Sequence, residues 1–113
     1  MDEIESLAQI LKALSDPTRL RILKLLSNTS DEHIHEGCRE TPEGSLFLCV
    51  NAITNQLNVT QSAVSQHLRI LRQAGLVRGE RRGSFVHYTL DLEGVSQYKT
   101  DLARVLGEAF IVK

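Results

Sequence analysis

No apolar run in the chain approaches the ~20 residues that a membrane-spanning helix needs, so no bilayer span is expected. The first residues, MDEIESLAQILKAL, are acidic and amphipathic, whereas a secretory signal begins basic and becomes uniformly apolar. A cytoplasmic protein is therefore expected. Only two cysteines occur, Cys38 and Cys49. In a reducing compartment they are expected to be reduced, metal-binding or redox-active rather than structural bridges. There is no internal repeat and no low-complexity tract. Nor is there a paired nucleophile and base, a phosphate-cradling glycine loop, or an acid pair with an active-site context, which argues against an enzyme. Between Gln61 and Gly79 no acid occurs at all. A bland solvated helix would more often mix Lys with Glu.

What is present suits one globular domain spanning residues 1–113, with 42% hydrophobic and 24% charged residues. The net charge of −1 hides an uneven distribution. Residues 1–59 carry five bases against nine acids, a net of −4. Residues 60–88 carry Arg69, Arg72, Arg78, Arg81 and Arg82 against Glu80 alone, a net of +4. A local positive patch is what contact with phosphate requires.

Ile4, Leu7, Ala8, Leu11 and Leu14 recur at helical spacing and predict a helix from about Glu3 to Leu14. Asp16 and Pro17 then supply an N-cap and a first helical residue. The helix they start runs to about Ser27 and is apolar on more than one side. Residues 28–45 are polar, with Gly37, Pro42 and Gly44, and read as a long loop of the kind that is usually functional or mobile. A third helix is expected from about Leu48 to Leu57, a turn at Asn58 and Val59, and a fourth helix from Gln61 to about Ala74. Thr60 caps the fourth helix and Gly75 stops it. Val64, Leu68 and Leu71 should face the core. Gln61, Ser62, Ser65, Gln66 and Arg69 should then face outward, with hydrogen-bonding groups suited to base edges and phosphates. Leu76 to Arg81 and Ser84 to Leu90 read as paired strands around Arg82 and Gly83. The segment from about Glu93 to Phe110 reads as a last helix.

The expected fold is mainly α with a small β-hairpin wing, a winged helix-turn-helix in the order ααααββα. In such a module the second helix of the pair enters the major groove of DNA and the hairpin reaches along the backbone. Apolar surface on the first and last helices is more than one small domain can bury. A two-fold dimer through those helices would cover it and present two reading helices.

LKALSDPTRLRILKLL (residues 11–26) followed by TQSAVSQHLRILRQAGLVRGERRGSFVHYTL (residues 60–90) resembles the ArsR/SmtB family of bacterial and archaeal winged-helix repressors. The likeness covers nearly the whole chain outside the 28–45 loop. It implies a homodimeric repressor of transcription on a double-stranded DNA operator. Members commonly leave DNA when a metal, metalloid or reactive sulfur species binds. The resemblance places Gln61, Ser62, Ser65, Gln66 and His67 on the recognition segment, Arg78 to His87 in the wing, and Arg81, Arg82 and Gly83 at its tip. Position 66, often histidine in relatives, is glutamine here, which bears on base preference.

The sensing motifs match less well. Many members open the third helix with Cys-x-Cys, where this chain has Cys49-Val50-Asn51. Others place Asp and His ligands on the last helix, which here has no histidine. Sulfur sensors that pair an early cysteine with one in the last helix also differ, because none follows Cys49. The chain instead offers His33, His35, Cys38 and Cys49, two imidazoles and two thiols within seventeen residues, the ligand count for zinc or another thiophilic cation. Three readings stay open. These groups bind a metal or metalloid effector, or the two cysteines form a thiol switch, or the histidines are incidental and Cys49 is a small buried hydrophobe. His87 reads as a cross-strand neighbour or phosphate donor. Two further alternatives are a DNA-binding regulator without any effector and a winged helix that binds protein instead of DNA.

Overall fold

The computed structural model describes residues 2–27, 39–40, 46–82 and 85–107. Helix α1, Glu3–Leu14, starts where the Asp2 carboxylate accepts from the Glu5 N–H at 2.8 Å. Helix α2, Pro17–Ser27, begins with the Asp16 carboxylate accepting from the Arg19 N–H at 3.0 Å. Proline at the first helical position loses nothing, because its N–H would have had no partner in the helix. Helix α3, Val50–Leu57, ends with Asn58 at φ 54°, a left-handed conformation that asparagine tolerates better than most residues. Helix α4, Gln61–Gln73, is capped by Thr60, whose hydroxyl accepts from the Ala63 N–H at 3.1 Å. Its end is closed by Gly75 at φ 79°, with Gly75 N–H donating to Arg72 and Leu76 N–H to Leu71, so the last carbonyls are satisfied.

Strands β3 (Val77–Arg82) and β4 (Phe85–Leu90) form the hairpin; β3 starts one residue later than the sequence suggests, and Ser84, the expected start of β4, lies outside the described residues. Two further short strands, β1 (Arg39–Glu40) and β2 (Leu46–Cys49), extend it to an antiparallel sheet in the order β1-β2-β4-β3. The expected order ααααββα thus becomes ααββααββα. Leu48 and Cys49, expected in the third helix, instead pair with Tyr88 and His87 of β4. An apolar run as short as Leu46–Val50 fits helix or strand equally by pattern. The otherwise open edge of β4 decides it by supplying hydrogen-bond partners. Arg39 and Glu40, expected within the long loop, pair with β2.

The core gathers Ile22 and Leu26 of α2, Ala52 and Ile53 of α3, Val64, Leu68 and Leu71 of α4, and Leu76 and Val77 at the start of β3. Helix α5, Leu92–Leu106, is capped by Asp91 at its start and by Gly107, with φ 61°, at its end; residues 108–110 of the expected helix lie outside the described residues. Its first turn crosses the end of α4 closely. A methyl group on Gly94 would sit 1.7 Å from the Gly75 carbonyl oxygen. The Asp91 N–H donates to the Leu76 carbonyl at 3.0 Å beside this crossing. Among the described residues, no helix is long and apolar enough to cross a membrane.

Candidate nucleic-acid interface

Helix α4 is built to be held by one side and read from the other. Val64, Leu68 and Leu71 are at most 1% exposed, so three rigid anchors fix its rotation about its own axis. Gln61, Ser62, Ser65, Gln66, Arg69 and Arg72 are all exposed. The first turn carries no acid, and Thr60 takes the Ala63 N–H while leaving the outer side chains unengaged with the cap. Side-chain amides, hydroxyls and guanidinium groups can donate to and accept from base edges, or donate to phosphate oxygens. A carboxylate at any of these positions would repel the same partner.

Arg78 and Arg81 on β3 are exposed as well. Arg82 is the last residue of β3, paired in register with Phe85, while Gly83 at the expected wing tip lies outside the described residues. The Tyr88 ring packs close over Gly79, where an added methyl would lie 3.0 Å from it.

His67 differs from its neighbours on the recognition segment. It is half-buried, with its Nδ1 3.2 Å from the Arg19 guanidinium and 3.9 Å from the Asp16 carboxylate. It faces the α1–α2 junction through that nitrogen. The junction is a network that sequence reasoning missed. Arg19 Nε donates to the Ala13 carbonyl at 2.6 Å and a terminal nitrogen to the Lys12 carbonyl at 3.4 Å, covering the open carbonyls at the end of α1. The Arg19 N–H on the Asp16 carboxylate is the main cause that lowers the Asp16 pKa below its usual 3.8; partial burial opposes it, and the His67 and Arg19 charges and the Thr18 N–H add to the lowering. No local pattern marks Arg19, whose partners are close only in the folded chain.

Of the expected sensing residues, His33, His35 and Cys38 lie outside the described residues, while Cys49 ends β2. In register, Cys49 stands opposite His87, and His87 opposite Glu80. His87 is buried, at 9% exposure. Among the described residues, no three His, Cys, Asp or Glu side chains are grouped to hold a metal ion.

A helix-turn-helix followed by a two-stranded wing defines the winged-helix class of DNA-binding proteins. Comparison with known proteins narrows the class. The model of the bacterial regulatory protein, arsR family, matches residues 43–78. The chain is 41% identical over 91 residues to the uncharacterized HTH-type transcriptional regulator YbzH of Bacillus subtilis, covering 79% of this chain and 87% of that protein. It is 31% identical over 109 residues to a transcriptional repressor SmtB homolog of Synechocystis, covering 96% of this chain and 70% of that protein. Among solved structures, reduced HlyU from Vibrio cholerae is similar with a TM-score of 0.58 at 30% identity, covering 91% of this chain and 90% of that one. The chain belongs to the ArsR family and is a DNA-binding transcriptional regulator.

Proposed function

We propose that the protein is a homodimeric repressor that reads a double-stranded operator with α4 of each protomer and holds the backbone with Arg69, Arg81 and Arg82. The observation that carries this reading is the division of α4 into a buried apolar side and an exposed, acid-free side of Gln61, Ser62, Ser65, Gln66 and Arg69. The dimer is supported by apolar surface that one protomer leaves open. Helix α5 is amphipathic yet has no buried residue. Ile4, Leu11, Val105 and Leu106 are 42–59% exposed on the α1–α5 pair. The paired helices are tied by Arg104 donating to Glu3 at 3.1 Å, which presents them as one surface to a second copy.

Phosphate contacts supply affinity without sequence, and base contacts supply the choice. Arg81→Ala should therefore weaken binding to all duplexes alike. Gln66→Ala should change which base pairs are tolerated, each lost base contact being worth ~1–3 kcal/mol. Binding isotherms on a panel of duplexes separate the two effects. If Gln66→Ala leaves every preference unchanged, α4 is not the reader.

A second reading concerns release from DNA. A thiol-reactive effector would act at Cys49, with Cys38, His33 and His35 as further donors to a soft cation or with Cys38 as the second thiol. Support comes from the register that seats Cys49 opposite His87 of the wing strand, so a bond made at Cys49 would bear on the wing. Unchanged effector response after replacing both cysteines by serine would discard it.

A further inference from the structure

We propose that Arg19 is a positioning residue: it ties reading helix α4, through His67, to the end of α1, so that the pose of the α1–α5 pair reaches the DNA-facing side chains. This inference rests on the DNA reading above and concerns its regulation.

The geometry is a two-ended clamp. At one end Arg19 Nε donates to the Ala13 carbonyl at 2.6 Å and a terminal nitrogen to Lys12 at 3.4 Å. These carbonyls close α1, where the helix dipole is negative and a cation is favoured. At the other end a second terminal nitrogen lies 3.2 Å from His67 Nδ1. Guanidinium has no acceptor. The contact is a hydrogen bond only with the ring neutral and its proton on Nε2, so that Nδ1 accepts. Because the guanidinium is a rigid plane, its two ends cannot move independently. The Asp16 carboxylate holds the Arg19 main chain at 3.0 Å and so fixes where the fork starts.

The clamp spans a gap. An open groove of about 380 Å³, lined by Gln9, Lys12, Ile70 and Gln73 among others, lies between α1 and α4. His67 follows Gln66 directly and precedes Arg69 by two residues. Val64, Leu68 and Leu71 hold α4 against turning about its own axis, so a movement that displaces those two side chains is a shift of the whole helix against α1, and it must load the Arg19–His67 contact. Conversely, a shift of α1 against α4, such as a rearranged dimer would impose, must pull on His67. Coupling then follows from a physical link that both sites load.

The test uses the intact protein, random-sequence duplex at fixed low salt, and nitrogen-15 shifts of the His67 ring without DNA. The ring should show an unprotonated Nδ1 and a protonated Nε2 in the wild type. Arg19→Ala and His67→Ala should each lower duplex affinity about fivefold or more, the lower range of site-to-site coupling, and the double variant should be no weaker than either. His67→Gln, which offers an amide oxygen to Arg19, should recover most of the loss. Arg19→Lys keeps the charge without the fork and should behave as Arg19→Ala does, serving in its place if that variant fails to fold. A proton on Nδ1, additive losses, or unchanged affinity in the single variants would overturn the clamp. Absence of any duplex binding by the wild type would instead overturn the DNA reading, while the ring shifts would still decide the bond.

Discussion

Replacing Gly94 by alanine sets local preference against packing, and the two predict opposite signs. Gly94 lies in the first turn of α5, where alanine would favour the helix by up to ~1 kcal/mol. The fold opposes this. The added methyl would sit 1.7 Å from the Gly75 carbonyl oxygen and 2.9 Å from its carbon. Contact between carbon and oxygen needs roughly 3 Å or more, so the backbones must separate by over ~1 Å. Neither side yields cheaply. Gly75 is the left-handed residue closing α4 at φ 79°, and the start of α5 is held by the Asp91 N–H on Leu76 at 3.0 Å. Overpacking of this kind costs ~1–3 kcal/mol. A backbone clash of 1.7 Å belongs at the upper end of that range, so Gly94→Ala should lower stability by a net of about 2 kcal/mol in urea unfolding with the slope unchanged, with exposed Ser96→Ala as the control. A Gly94→Ala protein as stable as the wild type or more so would refute the close crossing of α4 and α5.

Two other outcomes follow from the same structure. Leu68→Ala, at a position 1% exposed, should cost ~2–5 kcal/mol in urea unfolding, because the core around α4 cannot collapse fully onto the void. The Asp16 carboxyl has its folded pKa lowered below 3.8, chiefly by the Arg19 N–H, so its contribution is present above that value and is lost as pH falls through the folded one. Asp16→Asn should flatten the acid side of the stability curve below about pH 4; an unchanged acid limb would show that Asp16 does not contribute to it.

The helices that the sequence marked well carry their signals locally. Asp16 with Pro17 started α2 and Thr60 started α4, each by satisfying N–H groups within one turn. The spacing of Val64, Leu68 and Leu71 identified the buried side of α4, and with it the exposed one. What escaped depends on partners distant in the chain. Strand β2 exists because β4, some forty residues later, offers an edge to Leu48 and Cys49. Arg19 looks like a solvated helix residue until Ala13 and His67 are brought beside it. Gly94 did leave a trace. A glycine inside a helical pattern is costly, and that cost commonly signals a close backbone approach.

If α4 is the reader, its exposed, acid-free side must meet DNA. Backbone amide shifts recorded while random-sequence duplex is added at low salt test it most directly. The largest changes should fall at Gln61, Ser62, Ser65, Gln66 and Arg69, with further changes at Arg81, all fading as salt is raised. Changes centred on Ile4, Leu11 and Val105 instead, with α4 silent, would contradict it.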